Sequence, residues 1–225
     1  MENRKILVVA AHPDDEVLGC GGTLLRHASS GDTVSALIVA EGITSRLSVD
    51  DAKQLGELRK ASNKSADILG LSEITYLGYP DNKLDSITFL DIVQSIESYV
   101  HKIKPDIIYT HFDNDLNIDH KITSNAVLTA CRPINKCSVK FIYAFETLSS
   151  TEWYNTSSQN FRPNHFVNIS KHLESKINAL KAYDIEMRAF PHPRSYKSVK
   201  ALAEFRGSIV GYNAAEAFMV IRSQY

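Results

Sequence analysis

The sequence predicts an α/β fold, a mostly parallel sheet sandwiched by helices in a single domain spanning residues 1–225. Three observations predict it. Short apolar runs alternate with segments whose apolar residues recur every three or four positions, the pattern of βαβ units. The runs are apolar along their whole length, as strands covered on both faces are. Finally, 225 residues with 44% hydrophobic and 23% charged content suffice for one sizeable core.

The elements follow in order. Residues 5–11 (KILVVAA) read as a buried strand, and residues 19–30 as a helix with Leu24, Leu25 and Ala28 at helical spacing, stopped by Gly31. A second strand covers 32–40, and a helix covers 50–69 and closes at Gly70. Residues 73–77 form a short strand, followed by turn chemistry at 78–82 (GYPDN). From 86 to 103, Ile87, Leu90, Val93, Ile96, Val100 and Ile103 share one helical face; Pro105 ends it and 106–110 (DIIYT) is the next strand. These units make a Rossmann-like core of about residues 1–130.

The remainder is less regular. Strands are expected at 139–145 and 164–169, then a helix over 170–187 with Ser170 as cap and Leu173, Ile177, Leu180 and Met187 inward. A proline-flanked turn at 191–194 precedes a helix over 195–205 and a last strand at 217–221.

Composition excludes several classes. A net charge of −1 provides no overall basic field for nucleic acid or an anionic membrane. The N-terminal apolar run passes straight into charged residues, so it is neither a secretory signal nor a span. Three cysteines (Cys20, Cys131, Cys137) without a Cys-x-x-Cys pair argue against a disulfide framework. The expected setting is the cytoplasm.

The first strand ends in His12-Pro13-Asp14-Asp15-Glu16. In an open parallel sheet, ligands collect beyond the carboxyl ends of the strands. Acids packed there repel one another unless a cation offsets them. Imidazole plus carboxylate with one position open to water is a recurring catalytic zinc set. A third ligand is expected from the loop after the fourth strand, which offers His111, Asp113, Asp115, Asn117, Asp119 and His120, with Asp119 capping the helix that His120 begins.

His12-Pro13-Asp14-Asp15-Glu16, Gly19 and the Gly21-Gly22-Thr23 turn resemble the PIG-L/LmbE superfamily of zinc-dependent N-acetylglucosaminyl deacetylases. The resemblance continues through Arg59, Leu69-Gly70, Leu77-Gly78, Pro80-Asp81 and Asp119-His120. It implies a Zn2+ ion held by His12, Asp15 and His120, Asp14 as general base, a small N-acetylated amino-sugar substrate and a homo-oligomer, trimers and hexamers being common among relatives. Many members carry His-Pro-Asp-His where this chain has Asn117-Ile118-Asp119-His120, and a Glu where it has Ser62.

In the family that first His helps to stabilise the oxyanion of amide hydrolysis, so the resemblance implies that another donor takes its place here. His192, between Pro191 and Pro193, is the first candidate and Asn117 the second. Arg59, Arg194 and Arg206 are candidates to hold an anionic group of the substrate. Trp153 and Tyr154 are candidates to stack on a sugar ring. Hydrolysis of another N-acyl group and a purely carbohydrate-binding role are the alternatives. A dinucleotide site is disfavoured, because the glycines miss the Gly-x-Gly-x-x-Gly spacing and the acids would repel a pyrophosphate.

Overall fold

A computed structural model describes residues 3–43, 51–134, 137–154 and 160–225. Seven strands form one sheet in the order β3-β2-β1-β4-β5-β7-β6. Strands β1 (Lys5–Ala10), β2 (Thr33–Ala40), β3 (Glu73–Tyr79), β4 (Ile107–His111) and β5 (Phe141–Phe145) run parallel. β7 (Ala215–Ser223) enters antiparallel between β5 and β6 (His165–Asn168). The α/β, mostly parallel architecture is therefore as expected.

The continuous apolar runs occupy the centre. In β1, Ile6 to Ala10 are fully buried, with Ile6, Val8 and Ala10 on one face of the sheet and Leu7 and Val9 on the other. The first face packs on α1 (Asp15–Ser29), α2 (Asp51–Leu69) and α5 (Leu173–Ala182). The second packs on α3 (Phe89–Ile103) and α4 (Ile118–Ala130). The last helix, α6 (Tyr196–Ser208), lies against β7.

Several boundaries differ from expectation, each for a local reason. α1 begins at Asp15 rather than at residue 19, because Asp14 adopts φ 103° and its carbonyl accepts from Val17 and Leu18, starting the first turn. The acids read as loop thus sit at a helix N-terminus, where the helix dipole favours them. β3 runs on through Gly78, whose φ of 76° needs no Cβ, beside a register shift between Ile38 and Ala40. A 3-10 turn (Leu84–Ser86) replaces the first turn expected of α3. α4 is capped by Asn117, which accepts from Asp119 N at 2.8 Å, because the Asp119 carboxylate is engaged elsewhere.

α5 is shorter than expected: Ser170 binds Asn168 instead of capping it, while Tyr183 and Met187 are buried beyond its end. Ser195 caps α6 by accepting from Ser198 N. Residue 50, expected to open α2, lies outside the described residues. No described helix is long and apolar enough to cross a membrane.

Candidate active site

β1 and β4 are neighbours, so the chain leaving each brings the two sequence clusters to one rim. Among the described residues, His12, Asp15 and His120 form one group whose potential ligand atoms all lie within 4.8 Å, and His12, Asp81 and Asp119 form another. Asp15 Oδ2 stands 3.2 Å from His12 Nδ1 and 3.2 Å from His120 Nε2. Its other oxygen, Oδ1, is buried with no hydrogen-bond partner. An orphaned carboxylate oxygen beside two imidazoles fits a divalent cation, whereas both Asp119 oxygens already accept backbone N–H groups, from Asn82 at 2.8 Å and Leu84 at 3.1 Å.

The far nitrogen of each imidazole meets a second carboxylate. His12 Nε2 lies 3.0 Å from Asp119 Oδ2 and 3.2 Å from Asp81 Oδ1; His120 Nδ1 lies 3.1 Å from Asp115 Oδ1. Such partners fix the tautomer and aim of a metal-binding ring. Asp115 is itself held by the hydroxyls of Ser150 and Thr151 and by Asn117 N at 2.9 Å. Burial would raise its carboxyl, but His120 and these hydroxyls bring it down to about 2.

His111, the rival of His120, is committed elsewhere. Its Nε2 accepts Ala11 N–H at 2.8 Å, Nδ1 faces Thr147 Oγ1 at 3.3 Å, and its ring stacks on His120 at 3.9 Å. Burial and the neighbouring His120 hold its pKa well below the usual histidine range.

The electrostatics describe a site that calls for positive charge. Burial opposes charging His12, yet Asp119 and Asp15 push its pKa up to about 10. Burial would also raise Asp15, but His120, His12 and His111 bring its carboxyl well below the usual range. With no cation present, the surrounding acids thus favour the charged form of the His12 ring.

Asp14 points elsewhere. Its left-handed backbone separates it from Asp15, a conformation that costs a non-glycine residue about 1–2 kcal/mol and needs support. Glu16 supplies part of it, accepting from Asp14 N at 3.0 Å while Tyr183 donates to its other oxygen at 2.7 Å. Arg194 Nη1 donates to Asp14 Oδ2 at 3.1 Å, and Arg194 Nε donates to Ser149 Oγ at 3.1 Å. Burial pushes the Asp14 carboxyl well above the carboxylate range, against the pull of Arg194.

A cleft of about 200 Å3 opens beside these groups, lined by His12, Pro13, Asp14, Gly42, Ile43, Leu58, Asp81, Asn82, Asn117, Glu186 and Arg194. The structure brings His12, Asp14, Asp15, His120, Asn117 and Arg194 together. His192 is not among the lining residues; its Nδ1 accepts Arg194 N at 3.0 Å and its ring meets Trp153 edge-on at 6.0 Å. Trp153 is 53% exposed rather than part of the core. Tyr154 carries the ammonium of Lys121 over its ring at 3.8 Å and likewise stands outside the lining.

The three arginines expected to hold an anion all face carboxylates: Arg59 is 4.0 Å from Glu41, Arg194 binds Asp14, and Arg206 forks onto Glu146 at 2.8 and 2.7 Å. The sequence offers no sign of Tyr183 or Glu186; it places Asp115 only among the candidate third ligands and Glu16 only within the acidic cluster after the first strand, without the supporting roles that they take here.

Fold and site define a class: an α/β protein with a cation-ready acid–imidazole cluster beside a separate buried carboxylate, at the carboxyl ends of parallel strands. The model of the GlcNAc-PI de-N-acetylase family, PIG-L, matches residues 7–131, and the chain belongs to that family. It is 27% identical over 188 residues to the uncharacterized deacetylase YaiS of Escherichia coli K12, covering 81% of this chain and 91% of that one. Its fold matches N,N'-diacetylchitobiose deacetylase from Pyrococcus horikoshii with a TM-score of 0.80 at 20% identity, over 97% and 84% of the two chains. It also matches GalB, the 4-carboxy-2-hydroxymuconate hydratase of Pseudomonas putida KT2440, at 0.79 and 20%, over 99% and 98%. One scaffold thus serves amide hydrolysis and hydration, so the reaction must be argued from the site.

Proposed function

We propose that this protein is a zinc-dependent hydrolase that removes the N-acetyl group from an N-acetylglucosamine-type sugar or its conjugate. The observation that carries the reading is the division of labour between adjacent acids: Asp15 keeps an unpartnered oxygen beside two imidazoles, while Asp14 lines the cleft. His12, Asp15 and His120 would hold the ion. When bound, it supplies a nucleophilic water usable at neutral pH and polarises the acetyl carbonyl.

The chain's own groups do the rest. Asp14 accepts the proton of the attacking water and returns it to the departing amine nitrogen. Arg194 holds the Asp14 carboxylate in place throughout. Asp115 and Asp119 keep the two ligating rings aimed. Asn117 Nδ2 gives one hydrogen to Asn82 Oδ1 at 3.1 Å and retains a second for the developing oxyanion. The exposed Trp153 offers a face to a sugar ring beyond the cleft.

The test is acetate release by zinc-loaded protein from a panel of N-acetylglucosamine, N,N'-diacetylchitobiose and N-acetylglucosaminyl conjugates, with N-formyl analogues alongside. Acetate from at least one sugar is expected. Bound zinc with no acetate from any would replace the reading by a carbohydrate-binding one, and formate alone would change the acyl group.

A further inference from the structure

Helix α1, which begins with Asp15, is broken five residues in: Cys20 has φ −146° and ψ 15°. In an unbroken helix the Leu18 carbonyl would accept from Gly22 N–H, and the Gly19 carbonyl from Thr23 N–H. Here Lys176 Nζ, from α5, donates to Leu18 O at 2.8 Å. Glu216, from β7, accepts from Gly22 N at 2.9 Å and from Thr23 N at 2.7 Å, one oxygen to each. Lys176 and Glu216 are joined to each other at 2.6 Å, both side chains 4% exposed.

An ion pair thus stands at the missing turn, its cation on the carbonyl before the break and its anion on the amides after it. The break is built in by close packing. A Cβ at Gly19 would run into the Phe145 ring, and one at Gly22 would lie 2.8 Å from Ile169. Phe145 pairs in register with Phe218 of β7 and meets the His111 ring at 4.7 Å, which stacks on His120. The segment before the break carries Asp15 and Glu16, so its direction decides where the Asp15 carboxylate points.

We propose that Lys176 and Glu216 are positioning residues for the metal centre, splinting the broken helix so that the segment bearing Asp15 keeps its angle to the sheet. A buried ion pair is often replaceable by apolar groups without loss of stability. What these two residues supply is polar partners at both sides of one break. The inference rests on the zinc-centre reading above.

The experiment compares wild type, Glu216→Gln and the double variant Lys176→Met/Glu216→Gln. Zinc affinity is read by chelator competition on the apo-proteins, and amide exchange is read along α1, β1 and β4. The expected result is at least about a 10-fold loss of zinc affinity, the scale of outer-shell losses at metal sites. Faster exchange at Gly22 and Thr23 should accompany it, with β1 and β4 still protected. Wild-type zinc affinity in either folded variant overturns the proposal. So does loss of protection throughout the sheet in both, which would make the pair a global stability element. Wild type assayed in parallel keeps the two readings apart: zinc bound without acetate release removes the proposed reaction but leaves the positioning role measurable.

Discussion

Arg194 reaches Asp14 from 180 residues along the chain, Nη1 to Oδ2 at 3.1 Å, and makes a buried acid tolerable beside Asp15 and Glu16. Arg194→Met should leave zinc binding in place and lower kcat on the order of 100-fold, because general acid–base catalysis contributes about that much or more. Asp14 is buried but the Arg194 side chain is 21% exposed, so the melting temperature should fall as well, by less than the loss of a fully buried ion-pair partner would cause. Arg194→Lys should recover part of both. A wild-type kcat in Arg194→Met would remove the guanidinium from the mechanism.

Asp14→Asn keeps the shape of the side chain and removes the proton acceptor. Zinc stoichiometry should stay at the wild-type value while kcat falls by roughly 10²–10⁴-fold. Near-normal turnover would mean that another group is the base.

Asp115 and Asp119 are expected to act through the rings that they hold. Asp115→Asn and Asp119→Asn should each weaken zinc binding by about 10–100-fold in chelator competition. Asp113→Asn, two residues away and exposed, is the control and should change nothing. Equal zinc affinity in all three variants would remove the outer carboxylates from the metal site.

Zinc binding should release protons. The imidazole of His12 carries a pKa pushed up to about 10 without metal, so it is charged at pH 7 and must become neutral to ligate. Apparent zinc affinity should therefore rise as pH increases from 6 toward that value. Calorimetry in buffers of different ionisation enthalpy should detect at least about one proton released per ion at pH 7. An affinity flat across this range would show that the ring is already neutral.

Asn117 and His192 can be separated by paired variants. Asn117→Ala should reduce kcat on the order of 100-fold, the cost of losing one oxyanion donor. His192→Ala should cost much less, since its ring braces Arg194 rather than lining the cleft. The reverse ranking in steady-state kinetics would return the oxyanion role to His192.

Much of this was legible in the sequence where the signal is local. The apolar runs of β1, β2 and β4 and the amphipathic face of α3 are short-range patterns, and they marked the sheet and the rim of the site. Residue types at the ends of β1 and β4 marked an acid–imidazole cluster, whereas the choice of His12, Asp15 and His120 within it came from the resemblance to the family. What stayed hidden depends on partners distant in sequence. Nothing near Arg194 announces Asp14, and the acids at 14–16 look like a loop until Tyr183 and Arg194 arrive to support a helix start. β7 reads as an ordinary last strand, yet it pairs antiparallel between β5 and β6, which periodicity alone does not reveal.

That late insertion bears on how the molecule comes into being. The amides of Gly22 and Thr23 bind a carboxylate made more than 190 residues later, so during synthesis this junction can close only after β7 has been made. A nascent chain with its first strands already paired still lacks the clasp that orients Asp15. On the reading proposed above, a divalent cation should be held tightly only after the final strand has taken its place.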